Sequence, residues 1–231
     1  MRYFILIIMS FVTSLLQGAE TKEHVTIRYS QTGTIKSIAF SKEALSKEIP
    51  KDANAFFKDY LHIKADDSFR IQTIVKQYDR HKSYDQYYRG IMVEGAGYNF
   101  HYDNNGVMRY ANGNYIDISE LSVVPAISEE DAILIFARYK GYSHDELIGS
   151  HVDLRVKSIK KDVGKDVETP VLVYKVFLNI NRPDNIEYGY IDAQTGEFLC
   201  SEPYILDVSS TGLFEMSYLG GFKTAKTDHT G

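Results

Sequence analysis

Apolar and polar residues alternate along most of this chain, and two passages break that alternation with helical spacing. The first follows Pro50, whose missing N–H suits the opening turn of a helix. Ala53, Phe56, Phe57, Tyr60 and Leu61 then recur at steps of three and four and draw a single apolar stripe. The second starts at Ser128, where the hydroxyl is placed to accept from the Asp131 N–H while the Asp131 carboxylate reaches back. Ala132, Ile133, Phe136 and Ala137 supply its apolar face, and Gly141 stands where a left-handed cap belongs. Both passages predict core helices.

A series of strands follows each helix. Phe69, Ile71, Thr73 and Val75 alternate with Arg70, Gln72 and Lys76, the pattern of a half-buried strand. Tyr98, Phe100 and Tyr102 alternate with Asn99 and His101. The turn Asn104-Asn105-Gly106 then leads into Val107 to Tyr110, which predicts a hairpin. After the second helix Val152, Leu154 and Val156 alternate, and Val171 to Ile180 is apolar on nearly both faces, as a central strand is. Ile186, Tyr188 and Tyr190 alternate again, closed by the turn Asp192 to Gly196 and a return through Phe198 and Leu199. Residues 24–40, with Thr32-Gly33 at the turn, predict a hairpin ahead of the first helix, and Lys157 to Lys165 reads as an exposed loop. The fold class is therefore α+β: two consecutive helix-plus-antiparallel-sheet units, separated by Asn114 to Pro125.

Composition narrows the function. Among 231 residues, 26 Lys plus Arg face 31 Asp plus Glu, a net charge of −5, which excludes a basic nucleic-acid binder. Arg2 precedes an apolar run from Tyr3 to Val12 and small residues at Gly18 and Ala19, which reads as a secretory signal peptide over residues 1–19. That run is short for a membrane span, so no membrane association is expected after its removal, and a secreted or periplasmic location follows. Cys200 is the sole cysteine, which excludes an internal disulfide.

Motifs for chemistry are sparse. Two His four apart around a Glu, the zinc-hydrolase helix, are absent; His144-Asp145-Glu146 lacks the second His, and His144 and His151 read as surface residues. Cys200 reads as a structural thiol. There is no Gly-x-Ser-x-Gly elbow and no Gly-rich phosphate loop. Adjacent pairs such as Glu129-Glu130 and Asp66-Asp67 point apart, and an enzyme built on distant carboxylates has nothing in its favour.

One stretch is distinctive: His81-Lys82-Ser83-Tyr84-Asp85-Gln86-Tyr87-Tyr88-Arg89-Gly90-Ile91-Met92-Val93-Glu94-Gly95, continuing through His101, Asn105-Gly106 and Asn112-Gly113. It resembles the signature of the fungalysin/thermolysin propeptide (FTP) domain, in which His81, Tyr84, Gln86, Tyr87, Gly90, Val93, Gly95, His101 and Gly106 take the family positions. Met92 departs from the Pro common there. Tyr84, Gln86 and Tyr88 fall on one strand face, Gly90 permits the turn, and Gly95 allows a bulge or a close approach. Residues Ile127 to Ala132, Val171 to Leu178 and Tyr190 to Glu197, with Asp192 and Gly196 in the turn, resemble the PepSY module that follows FTP in such precursors. Ser210 to Thr224 resembles the opening strands of the catalytic domain.

The resemblance implies cystatin-like units and the following organisation: signal peptide 1–19, N-terminal hairpin 20–47, FTP-like domain 48–117, PepSY-like domain 118–206, and at 207–231 a linker with the cut-short start of a catalytic domain. It further implies a propeptide that assists folding of a thermolysin-like zinc metalloendopeptidase and inhibits it until cleavage. The zinc, its ligands and the catalytic residues would belong to that catalytic domain, so no catalytic, cofactor or metal residue is expected in this chain. The partner is that domain, in cis, or in trans if the chain is a stand-alone secreted inhibitor or peptide-binding module of the same fold.

Overall fold

The computed structural model describes residues 19–72, 80–160, 168–180 and 187–203. The leader before Ala19, Thr73, Val75 and Lys76, the lysine run from Lys161, Ile186 and the segment beyond Pro203 lie outside the described residues.

Helix α1 spans Ala53–Asp59 and buries Ala53, Phe56 and Phe57, the predicted stripe. It begins three residues later than Pro50 suggests, because the Asp52 carboxylate accepts from the Ala55 N–H at 2.8 Å and caps the helix itself. Helix α2 spans Glu129–Lys140. Ser128 Oγ accepts from the Asp131 N–H at 3.1 Å, Asp131 Oδ2 accepts from the Ser128 N–H at 3.2 Å, and Gly141 closes the helix at φ 75°. This is the capping box and left-handed cap read from the sequence.

Among the described residues eleven strands form one sheet. In the amino-terminal half, β1 (Ala19–Lys22), β2 (Val25–Tyr29) and β3 (Ile35–Phe40) pair antiparallel, and β3 lies against β7 (Met108–Asn114). Next, β4 (Asp67–Ile71) pairs with β5 (His81–Tyr88), and β6 (Ile91–Tyr102) runs between β5 and β7. The carboxy-terminal half orders β8 (Leu147–Lys160), β9 (Glu168–Ile180), β10 (Glu187–Asp192) and β11 (Phe198–Pro203), each antiparallel to the next. The sheet passes from one half to the other where β6 and β8 run parallel, with Val93 opposite Val156.

Strand β6 carries this double membership through a break in its own pattern. Asp85 lies opposite Gly97, yet Tyr87 lies opposite Met92, so β6 holds extra residues there, and Gly95 takes φ 71°. Before the bulge the buried residue is Val93, after it Ala96, Tyr98 and Phe100. The parity shifts by one, which keeps both halves of β6 facing the helix side.

Two cores result. Around α1, Phe56 and Phe57 meet Tyr98, Phe100, Ile38, Met108 and Ala111. Phe57 stacks on Phe69 at 4.0 Å between ring centres. Around α2, Phe136 and Ala132 meet Leu172, Tyr174, Val176 and Ile191. The connecting stretch Asn114 to Pro125 is packed between them: Tyr115 belongs to the first core and Ile118 to the second.

Two sequence expectations need correction. Lys157 to Lys160 is strand, not loop, because β8 stays in register with β9 as far as Lys160 opposite Glu168. Ile71, read as an inward strand position, is 54% exposed, since β4 runs past the core and ends the sheet beyond β5.

Candidate functional site

The distinctive stretch divides between the two faces of the sheet. On the helix side, Tyr84 packs edge-on against Phe57 and Phe100 with ring centres 5.5 Å apart. Gln86 has no exposed surface. Its Nε2 donates to the Ile116 carbonyl at 2.8 Å and to Asp67 Oδ1 at 3.1 Å, and its Oε1 accepts from the Ile116 N–H at 3.0 Å. The Tyr115 hydroxyl donates to Asp67 Oδ2 at 2.7 Å. Burial raises the Asp67 pKa against the lowering by these two donors, and burial plus the Asp67 bond raises that of Tyr115. Gln86 thus ties strand β5 to the connection between the cores. On the other face the Tyr87 ring lies 4.1 Å from the Arg70 guanidinium carbon, a cation–π contact.

His81 and His101 sit opposite each other on β5 and β6, with their Nδ1 atoms 2.8 Å apart. One ring nitrogen donates and the other accepts, according to tautomer, so this bond needs one of the two nitrogens free of a proton. From β7, Asn112 Oδ1 lies 3.3 Å from His101 Nε2 and the Tyr110 ring lies 5.5 Å away. Burial holds the His101 pKa below its ordinary 6.5; the Asn112 bond opposes this and a charge on His81 adds to it. A base whose folded pKa is depressed stays neutral in the fold while the unfolded chain binds a proton. Its contribution is therefore complete above 6.5 and falls as pH drops from 6.5 through the lower folded value. Urea melts at about pH 7.5 and about pH 5.5 check this: wild type should lose more stability on acidification than His101→Asn. Equal losses would remove His101 from the account.

Ser83 Oγ donates to Asn99 Oδ1 at 2.6 Å and Gln72 Nε2 donates to Asp85 Oδ1 at 2.6 Å, which extends the polar face along β5 and β6. It continues across β8 to β11 as an ionic network. Lys175 Nζ, on the central strand β9 and 5% exposed, lies 2.6 Å from Glu94 Oε1. Arg155 Nε lies 3.7 Å from Glu94 Oε2, and the Arg155 Nη2 pairs with Asp153 at 3.0 Å. The Tyr190 hydroxyl donates to Glu202 Oε2 at 2.9 Å and reaches Glu94 Oε1 at 3.3 Å, while Lys157 Nζ pairs with Glu202 Oε1 at 2.7 Å. Burial first, then the Glu94 and Glu202 charges, raise the Tyr190 pKa and keep the hydroxyl protonated. Burial raises Glu202, but Lys157 and Tyr190 outweigh it and leave its pKa lowered. The sequence pattern did not single out this network; its one visible sign is a lysine inside the apolar run Val171 to Ile180.

The remaining signature residues set the backbone. Arg89 at φ 45° and Gly90 at φ 86° make the two-residue turn between Tyr88 and Ile91, the mirror-image turn that suits a hairpin. Gly95 forms the bulge, Val93 is fully buried beside Val156, and Gly106 closes the β6–β7 hairpin with its N–H 3.0 Å from the Asp103 carbonyl. Asp192 Oδ1 accepts from the Gln194 and Thr195 N–H groups at 2.8 and 3.0 Å, and Gly196 donates back to the Asp192 carbonyl at 2.9 Å. Cys200 is half-buried, and burial raises its pKa. His151 is exposed and lies 3.3 Å from Asp153. Among the described residues no three His, Cys, Asp or Glu side chains converge as a metal site requires, and no helix is long and apolar enough to cross a membrane.

Residues 69–115 match the Fungalysin/Thermolysin Propeptide Motif. The matched segment runs from β4 through β7 and takes in the His81–His101 pair, Gln86 and both hairpin turns. No curated protein matches the chain. Among solved structures, the Bacillus megaterium YpeB C-terminal domain aligns over 78% of this chain and 76% of its own length, at 16% identity and a TM-score of 0.33. At that score it carries no further argument.

Proposed function

We propose that this chain is the propeptide region of an exported thermolysin-like zinc metalloendopeptidase and acts on the catalytic domain as intramolecular chaperone and inhibitor. The observation that carries the reading is the match to the propeptide motif over residues 69–115. In this reading residues 1–19 direct export, 48–117 form the FTP-like unit and 118–206 a PepSY-like unit. The segment beyond them leads toward the catalytic part.

The chain breaks no bonds in this scheme. It presents a preformed sheet whose non-helical face carries His81, Asn99 and His101 at one end and the Glu94–Lys175 network at the other. A catalytic domain with much non-local pairing closes slowly by itself, and a rigid template lowers the loop-closure cost of that step. The same face, engaged after folding, excludes substrate from the cleft. Purified chain should therefore raise the refolding yield of a denatured thermolysin-like catalytic domain and lower its activity on casein in a saturable way. No change in either quantity would sink the proposal, as would proteolysis by the chain alone.

A further inference from the structure

A second feature lies on the helix side of the sheet, away from the polar face. A cavity of about 320 Å³ opens between the start of α1 and the β6–β7 hairpin, lined by Lys51, Asp52, Arg80, Lys82, Tyr102 and the Asp103–Gly106 turn. This volume is at the lower end of ligand sites and gives room for a short piece of chain rather than a folded partner.

Its charges are unequal in availability. Asp52 is engaged as the α1 cap, with Oδ1 on the Ala55 N–H. Asp103 is engaged twice over: Oδ1 accepts from the Asn105 and Val107 N–H groups at 2.9 and 3.0 Å, and Oδ2 meets Arg109 Nε at 2.8 Å. These backbone and arginine bonds hold the Asp103 carboxyl below its usual range. Among the described residues the cations are less occupied. Arg80 gives one Nη1 bond to Asn104 Oδ1 at 2.6 Å, out of five N–H groups a guanidinium carries. Lys82 stands 5.3 Å over the Tyr102 ring. Burial pushes the Tyr102 hydroxyl up to about 12, so it remains a neutral donor and its ring an apolar floor.

We propose that this cavity binds an extended acidic peptide segment, seating one carboxylate among Lys51, Arg80 and Lys82 with the neighbouring backbone across Tyr102. The mixed lining selects a peptide over a polyanion. Asp52 and Asp103 repel a dense run of phosphates, and the net charge of −5 opposes one from a distance. A peptide instead brings single, spaced negative charges to the cations. Arg80 gives the seat a planar fork suited to a carboxylate. The inference does not depend on the propeptide reading, since it follows from the pocket alone.

The test uses the full chain at low salt, with acetyl-Glu-Gly-Glu-Gly-amide as probe and the matching Gln peptide as control, followed through the amide resonances of Asn104 and Gly106. Saturable shifts are expected, with the Glu peptide bound about tenfold more tightly than the Gln peptide. Arg80→Ala and Lys82→Ala should each weaken it severalfold, and Arg80→Lys should weaken it less than Arg80→Ala. Circular dichroism of each variant verifies the fold. Equal binding of the two peptides, no shift up to about 10 mM peptide, or tighter binding of inorganic phosphate than of the Glu peptide would each overturn the assignment.

Discussion

Gln86→Leu should lower the unfolding free energy by about 3 kcal/mol, because it strands buried polar partners while nearly preserving volume. In the wild type the amide satisfies the Ile116 N–H and carbonyl and one oxygen of Asp67. Leucine offers none of these bonds. The Ile116 amide then loses its acceptor, and Asp67, 7% exposed, keeps only Tyr115. Glu at the same position separates shape from bonding: it can still accept from Ile116 but cannot donate to Asp67, and it adds a second carboxyl beside one already raised by burial. Urea denaturation at neutral pH measures both variants. A loss below about 1 kcal/mol for Gln86→Leu would mean that water reaches these groups and that the residue is not the tie described.

Glu94→Ala should cost about 3 kcal/mol for a different reason: it takes from the Lys175 ammonium, 5% exposed on the central strand, the carboxylate 2.6 Å away. Removing both members is expected to be gentler than removing one, so Glu94→Ala with Lys175→Met should recover much of the loss. The Tyr188 ring, 4.3 Å from Lys175 Nζ, and the Tyr190 ring, 5.7 Å away, give the methionine an apolar lining. The double variant fixes the interpretation. Recovery shows that the penalty came from the buried Lys175 charge, whereas an unchanged loss would show that Glu94 acts through Arg155 or Tyr190 instead. High salt should alter these differences little, since a pair this buried is weakly screened.

Local patterns were legible wherever one residue type had one local job. The α2 capping box, Gly141, the Asn105-Gly106 hairpin and the alternation of Tyr98 and Phe100 are all decided by neighbours within a few positions, and the structure shows them as read. Within the stretch from His81, the shared face of Tyr84, Gln86 and Tyr88 was legible too from their spacing of two. What escaped was set by distance in space. Glu94 and Lys175 are 81 positions apart, and nothing near either announces the other. The cation cavity likewise gathers Lys51, Arg80 and the β6–β7 turn from three separate stretches. The first part of the lysine run, as far as Lys160, misled for the same reason: its composition suggests solvent, but Lys157 has Glu202 beside it from a strand far along the chain.

Strand β6 gives the molecule its indivisibility. One end is buried beneath α2 and the other beneath α1, so peeling away either layer removes a wall from the other. The halves cannot breathe separately without breaking a shared backbone, and their hydrogen-bonded amides should open only in a global event. In the proposed template role, a surface built on such a frame would keep its contours while a softer, half-folded chain is still searching for its own.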